Sequence, residues 1–371
     1  MQRQKRVSES AAAEGLRTQH PPAFSARLVA WHAREGRHDL PWQRTRDPYR
    51  IWLSEVMLQQ TQVSTVVQYY DHFLQSFPDV TALASAPIED VLRLWSGLGY
   101  YRRAQHLHQA AMVIVREHGG TFPHDVDALA SLPGVGRSTA AAIAAFAFGT
   151  RAAILEGNVK RVFARHRAVE GYPGLPAVQR LLWSIAEAEI PADDIELYTQ
   201  AIMDLGATVC VRQSPRCVAC PVAGDCSARK TGRVHLLPAP RPKRVSPQRA
   251  IQVIVVQCEG TFMLERRSGA GVWNGLWSLP ELSCGDDVAT ALRSRYGLEN
   301  ATLEMLAPVE HAFTHYRLTL HPVSALLPKH PPAVNAPDRT WMSREAVQQG
   351  ALPAPIKRII EAQARRAELL I

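Results

Sequence analysis

Apolar positions recur at intervals of three and four over residues 24–35, 51–62, 64–77, 88–95, 102–117, 137–148, 176–189 and 194–205, and each stretch predicts a helix. Pro87 and Pro176 stand near two of the starts, and Gly36, Gly149 and Gly206 near the ends of others. Beyond residue 250 the period changes. Residues 251–256, 261–266 and 313–320 read as strands, and 287–296 and 356–367 as helices. Between the two regimes lies a stretch, Ser227 to Cys258, without one acidic residue, although Arg229, Lys230, Arg233, Arg241, Lys243, Arg244 and Arg249 are there. Pro238, Pro240, Pro242 and Pro247 stiffen it, as in an extended linker that is either a solvated spacer or a contact for a phosphate backbone. The pattern predicts a multi-domain chain: a flexible tail over 1–21, an all-α domain over 22–230, a basic proline-rich linker over 231–249 and a small α+β domain over 250–371.

The length of 371 residues fits about two domains. The first twenty residues are polar and contain no apolar run of the kind a signal peptide needs. The longest apolar run, 140–148, is far short of the roughly 18–20 residues that cross a bilayer, so it reads as a buried helix. A cytoplasmic protein without a membrane partner is expected. A net charge of +8 suggests a polyanionic partner.

Four of the six cysteines fall together, Cys210, Cys217, Cys220 and Cys226, spaced C-x6-C-x2-C-x5-C. Four thiolates at loop spacings can close around a tetrahedral zinc or an iron–sulfur cubane. Zinc sites commonly use two short knuckles far apart. Here only the middle interval is that short, which favours a cluster, with a disulfide pair or buried thiols as the bland alternative.

Three further features carry chemistry. Residues 132–138 read Leu-Pro-Gly-Val-Gly-Arg-Ser and open into the apolar helix. Gly134 and Gly136 permit a tight turn, and the free N–H groups of the helix start can hold a phosphate, although an ordinary helix cap explains the same residues. Glu55 shares a helical face with Ile51, Trp52, Leu58 and Gln59. A carboxyl on an apolar face is suited to general-acid work near neutral pH, and its alternative is a structural ion pair. Glu156 ends a short apolar segment, is followed by Gly157 and then a helix, and taken alone reads as a capping acid. As a pair, Glu55 and Glu156 could cleave a glycosidic bond through an oxocarbenium-like state.

The motifs SEVMLQQTQ, GLGYYRRA, LPGVGRSTA, GNVKRV and MDLGA, followed by the four-cysteine loop, occur in this order. In this the chain resembles the helix-hairpin-helix DNA glycosylases that carry an iron–sulfur cluster, and within them the adenine DNA glycosylase (MutY) family. The resemblance runs over nearly the whole chain. It implies one [4Fe-4S] cluster on Cys210, Cys217, Cys220 and Cys226. It implies that Glu55 protonates the departing adenine, that Glu156 with the adjoining Asn158 supplies the second half of the catalytic site, and that Gln60 and Tyr100 lie at the DNA interface, with Tyr100 wedged into the base stack. Gly134, Gly136 and Ser138 shape the phosphate-holding hairpin, and Arg212 and Arg216 in the cysteine loop suit phosphates.

Two positions depart from the family pattern. Aspartate is usual where this chain has Glu156. The lyases of the endonuclease III type carry a lysine where it has Ser138, and a serine cannot form their Schiff base, which implies a monofunctional glycosylase. The second domain resembles a Nudix fold: Gly275 and Glu281 match the opening of the Nudix box, but its later metal-binding carboxylates are missing. In the family this domain recognises 8-oxoguanine, here implied for Phe313, Thr314 and His315. The implied partner is double-stranded DNA with adenine opposite 8-oxoguanine or guanine, bound by a monomer at the nucleoid. Two other readings are a glycosylase/lyase of oxidised pyrimidines and a lesion-binding protein weakened at Glu156.

Overall fold

The computed structural model describes residues 23–242, 246–268, 272–313, 316–331 and 338–368. Packing divides the chain into two units, one of residues 23–39 with 144–241 and one of residues 40–143 with the chain from 242 onward.

The first unit is helical. Phe24–Glu35, Gly157–His166, Pro176–Glu189 and Ile195–Asp204 bury Leu28, Phe163, Leu182 and Ile202 among others. Phe24 packs on Phe163 with ring centroids 5.7 Å apart. The fully buried Asp204 carboxylate takes two hydrogen bonds from the Arg37 guanidinium, one from the Arg37 N–H and one from Gln200, with His32 Nε2 3.3 Å away. A buried charge is tolerated only with partners of this kind. After Asp204 the helix widens into a π turn, Leu205–Val209, which ends at Cys210. The first part of the basic stretch is packed here: Leu237 is buried, and the Arg165 side chain donates to the carbonyls of Val234 and Leu237.

The second unit has a helical part and a sheet. Pro48–Leu58, Val63–Ser76, Ile88–Leu94 and Arg102–His118 surround the buried Trp52, Phe73, Trp95 and Leu107. The short helices Val80–Ser85 and Val126–Ser131, each started by an aspartate cap (Asp79, Asp125), had too few turns to show a period. The helix expected over 51–62 ends at Leu58.

Among the described residues eight strands follow: β1 Gln248–Cys258, β2 Thr261–Arg266, β3 Trp277–Ser278, β4 Glu281–Leu282, β5 Thr302–Met305, β6 Val309–Ala312, β7 Arg317–Leu326 and β8 Arg339–Ser343. β1 and β7 pair in parallel along their length, with antiparallel neighbours on both sides. The sheet is buried on both faces. Val253, Val255 and Leu320 pack with Ile356, Ile359 and Ile360 of the helix Ala354–Glu368, while Ile254, Val256 and Val323 pack with Ala291 and Leu292 of the helix Val288–Tyr296. Double burial explains why the middle of β1, residues 253–256, reads as an unbroken apolar run rather than an alternation. This sheet domain rests on the helical part of its own unit: Tyr101 OH donates to Leu352 O at 3.3 Å, Gln105 to Asn274 O at 2.7 Å and Lys357 to Ser96 Oγ at 3.1 Å, and Arg266 pairs with Glu89.

Candidate active site

Glu55 sits half-buried in the last turn of the helix Pro48–Leu58, between the buried Ser54 and Val56. Asp47 caps the start of that helix through the Tyr49 N–H, and Pro48 supplies its first turn. Beyond its end, Gln60 is exposed and takes a left-handed backbone, φ 59°. Gln59 reaches Thr139 Oγ1 at 3.5 Å. Tyr100 is 47% exposed and also left-handed, φ 48°. Behind both turns lies the buried side chain of Arg103, whose charge burial disfavours, lowering its pKa to about 10.

The two hairpin glycines differ in what their positions demand. Gly134 has φ 77°, and a Cβ there would lie 2.6 Å from His106 Cβ, so the residue needs both its backbone freedom and its lack of a side chain. Gly136 is exposed and open, and its carbonyl accepts the Ala140 N–H of the helix Arg137–Phe148. Ser138 is half-buried in the first turn of that helix. The first N–H groups of such a helix suit an anion.

In the other unit, Glu156 is the N-cap of the helix Gly157–His166: its two carboxylate oxygens accept the Asn158 N–H at 2.8 Å and the Val159 N–H at 3.0 Å. Burial raises its pKa, opposed by those two hydrogen bonds and by the charges of Arg161 and Lys160. Asn158 Oδ1 accepts from Arg161, which also donates to Gly206 O and Cys210 O, each at 2.7 Å. Gly206 is required at this crossing, because a Cβ would stand 2.6 Å from Asn158 Cβ. One turn on, Arg165 donates to the carbonyls of Val211 and Arg212 and to Cys210 Sγ at 3.4 Å. The helix that Glu156 caps is therefore tied directly to the cysteine loop.

All four cysteines of the loop line one cavity with Arg165, Val209 and Pro215, and none is in a disulfide. Asp225, next to Cys226, is held by Arg27 at 2.6 and 2.8 Å and lies 3.2 Å from His166 Nε2. Burial pushes the Cys220 thiol up to about 12 and the Cys226 thiol upward, and the neighbouring cysteines of the loop add to both shifts. Among the described residues no group of three or more His, Cys, Asp or Glu is placed to hold a metal ion. Four thiols around a cavity are a donor set that fits a larger thiolate-held group. Arg212 and Arg216 are exposed, and Arg216 bonds Thr208 O.

In the sheet domain, Phe313 follows β6 and stacks on Tyr316 at 4.6 Å between ring centroids, with Trp273 at 5.2 Å and His311 at 4.6 Å. Phe313 is half-buried among these rings. Thr314 and His315 lie outside the described residues. At the Nudix-box opening, Glu281 is paired with Arg267; further on, Asp287 caps the helix Val288–Tyr296.

Sequence reasoning missed three arginines, Arg103, Arg161 and Arg165. A signal existed for the first: position 103 falls on the same helical stripe as the buried Leu107, Ala110, Ala111 and Ile114, where an unpaired arginine would be costly. The other two stand at i and i+4 on a helix in which Arg165 is 3% exposed.

A family model described as HhH-GPD superfamily base excision DNA repair protein matches residues 53–188, and one described as NUDIX domain matches 252–362. Adenine DNA glycosylase of Buchnera aphidicola subsp. Acyrthosiphon pisum (strain APS) is 32% identical over 91% of this chain and 97% of its own length. Adenine DNA glycosylase of Homo sapiens is 33% identical over 91% of this chain and 73% of its own. Among solved structures, a thermostable thymine-DNA glycosylase superposes with a TM-score of 0.52 at 30% identity, over 56% of this chain and 95% of that one. With relatives of this identity matched over most of both lengths, the chain belongs to the adenine DNA glycosylase family of base-excision repair enzymes, a helical glycosylase region followed by a Nudix domain.

Proposed function

We propose that this glycosylase removes adenine paired with 8-oxoguanine or guanine, using Glu55 as general acid and Glu156 as the anion that steadies positive charge on the sugar. The observation that carries this is the Glu156 carboxylate, fixed by two backbone N–H groups at a helix start. An N-glycosidic bond to adenine breaks readily once the base leaves neutral, which needs a proton from an acid such as Glu55. The sugar then develops oxocarbenium character, and a preorganised carboxylate lowers that barrier. Water adds at the anomeric carbon and completes the hydrolysis. Ser138 offers no amine, so no Schiff base forms and the strand stays intact.

Adenine is reachable only outside the stack, so the enzyme must flip it. Gln60 and Tyr100 fill the duplex behind it, and the hairpin at Gly134 and Gly136 holds a phosphate. Phe313, Thr314 and His315 read the opposite base. Cys210, Cys217, Cys220 and Cys226 would hold a [4Fe-4S] cluster, which would cross-link the loop that presents Arg212 and Arg216 to phosphates. In this reading residues 22–230 form the glycosylase domain, 231–249 a basic linker and 250–371 the recognition domain. Among the described residues no helix is long and apolar enough to cross a membrane.

The test is single-turnover cleavage of duplexes carrying adenine opposite 8-oxoguanine, guanine or thymine, and thymine opposite guanine, with and without alkali. Alkali-dependent breaks at adenine opposite 8-oxoguanine and guanine are expected. Cleavage at thymine alone would favour the activity named for the structural relative.

A further inference from the structure

Gln60 and Tyr100 belong to turns separated by forty positions in sequence, and both occupy a backbone region that side-chain-bearing residues seldom adopt. Such conformations persist where the surroundings over-determine them. What over-determines these two is one side chain. Arg103 Nη1 donates to Val56 O at 2.9 Å and Met57 O at 2.8 Å. In a continuing helix these carbonyls would accept the N–H groups of residues 60 and 61. The guanidinium therefore ends the helix where Gln60 must turn. Arg103 Nη2 donates to Thr61 Oγ1 at 3.0 Å, just past Gln60, and to Leu98 O and Gly99 O at 3.3 Å, just before Tyr100. Its own backbone N–H closes the second turn on Tyr100 O at 2.8 Å, and its Cζ stands 5.7 Å from the Tyr100 ring centroid and 5.3 Å from that of Trp95.

We propose that Arg103 is a positioning residue for entry into DNA, a buried fork that holds the Gln60 turn and the Tyr100 turn in register so that both side chains meet the duplex together. Arginine suits the task because its planar donors reach several acceptors at once, and the negative end of the Pro48–Leu58 helix helps to house its charge. A lysine has the charge but not the fork. The carbonyls gripped are those of the two residues after Glu55, so the acid is held through the same clasp. This inference rests on the reading that Gln60 and Tyr100 enter the base stack.

The experiment places 2-aminopurine beside an adenine–8-oxoguanine pair and follows its fluorescence as full-length protein binds, alongside single-turnover base release and binding to undamaged duplex. Gln60→Ala and Tyr100→Ala test the underlying reading: if neither changes the fluorescence rise, these side chains are not wedges, whatever Arg103 does. If they reduce it, Arg103→Lys is expected to reduce both the rise and the rate of base release, the latter by about 10- to 100-fold for a misplacement on the scale of 1 Å. Affinity for undamaged duplex should be retained. Thr61→Val removes one acceptor and no charge, and should give a smaller loss in the same direction, with the double variant no worse than Arg103→Lys alone. A folded Arg103→Lys protein with the wild-type fluorescence rise overturns the proposal. If Arg103→Lys does not fold, Thr61→Val decides, and an unchanged rise in that variant overturns it equally.

Discussion

Glu156 both caps a helix and, in the proposed reaction, faces a developing cation, and the two roles separate by substitution. The cap consists of two hydrogen bonds to the N–H groups of Asn158 and Val159. Losing an N-cap costs about 1 kcal/mol, of a total stability of roughly 5–15 kcal/mol, so Glu156→Ala should stay folded at 25 °C with a Tm a few degrees lower. Losing a preorganised electrostatic partner of the transition state costs on the order of 10²–10³ in rate. Serine is as good a cap as aspartate but carries no charge. Glu156→Ser should therefore match the native Tm and lose on the order of 10²–10³ in single-turnover adenine release. Glu156→Asp keeps both charge and cap, and should release adenine at or above the native rate because the family's GNVKRV segment ordinarily follows the shorter acid. Burial raises the Glu156 pKa, so the reactive anion is lost as pH falls through a value above the ordinary 4.5, and the acid limb of the rate profile should lie there. The measurements are differential scanning calorimetry and quenched-flow base release. If Glu156→Ser releases adenine at the native rate, the residue is a helix cap and nothing more.

Four further outcomes are expected. Anaerobically purified protein should be brown with about four irons per chain, Cys217→Ser should lose them and Cys258→Ser should not; one zinc and no iron would refute the cluster. Borohydride should trap little covalent complex with native protein, and efficient trapping would show an amine nucleophile that Ser138 does not provide. Thr314→Ala combined with His315→Ala should cut the preference for 8-oxoguanine over guanine opposite adenine by about 1–3 kcal/mol, and an unchanged ratio of rates would remove that loop from recognition. Arg37→Ala should cost about 3–5 kcal/mol at neutral pH, because it strips the buried Asp204 carboxylate of its main partner. Burial opposes the charge of Asp204, but hydrogen bonds from His32 and Arg37 prevail and hold its pKa below 3.8. That stabilisation is present above the unfolded value and lost as pH falls through the folded one, so urea melts of native and Arg37→Ala protein should converge in acid.

The helical and sheet regimes were legible because each leaves a local period, and the cysteine loop because four identical donors fall close in sequence. The helices 24–35, 137–148 and 176–189 were placed to the residue. Where the reading failed, the cause lies in contacts that a local period does not carry. Residues 51–62 carry no stop signal, and the helix ends at Leu58, where a guanidinium more than forty residues on donates to the carbonyls of Val56 and Met57. The third strand was expected four residues early, over 313–320. Phe313 instead stacks on Tyr316 and joins a cluster with Trp273 and His311, and β7 begins only at Arg317. Glu156 shows the limit from the other side. Its position before Gly157 and a helix identifies a cap, and the structure contains that cap, yet a cap fixed by two N–H groups is also a carboxylate held still. Local sequence identifies the first role, since capping is satisfied within three residues. The second depends on what a substrate places in front of the carboxylate, and a half-buried acid with a raised pKa, tied through Asn158 and Arg161 to the cysteine loop, is built more elaborately than a cap requires.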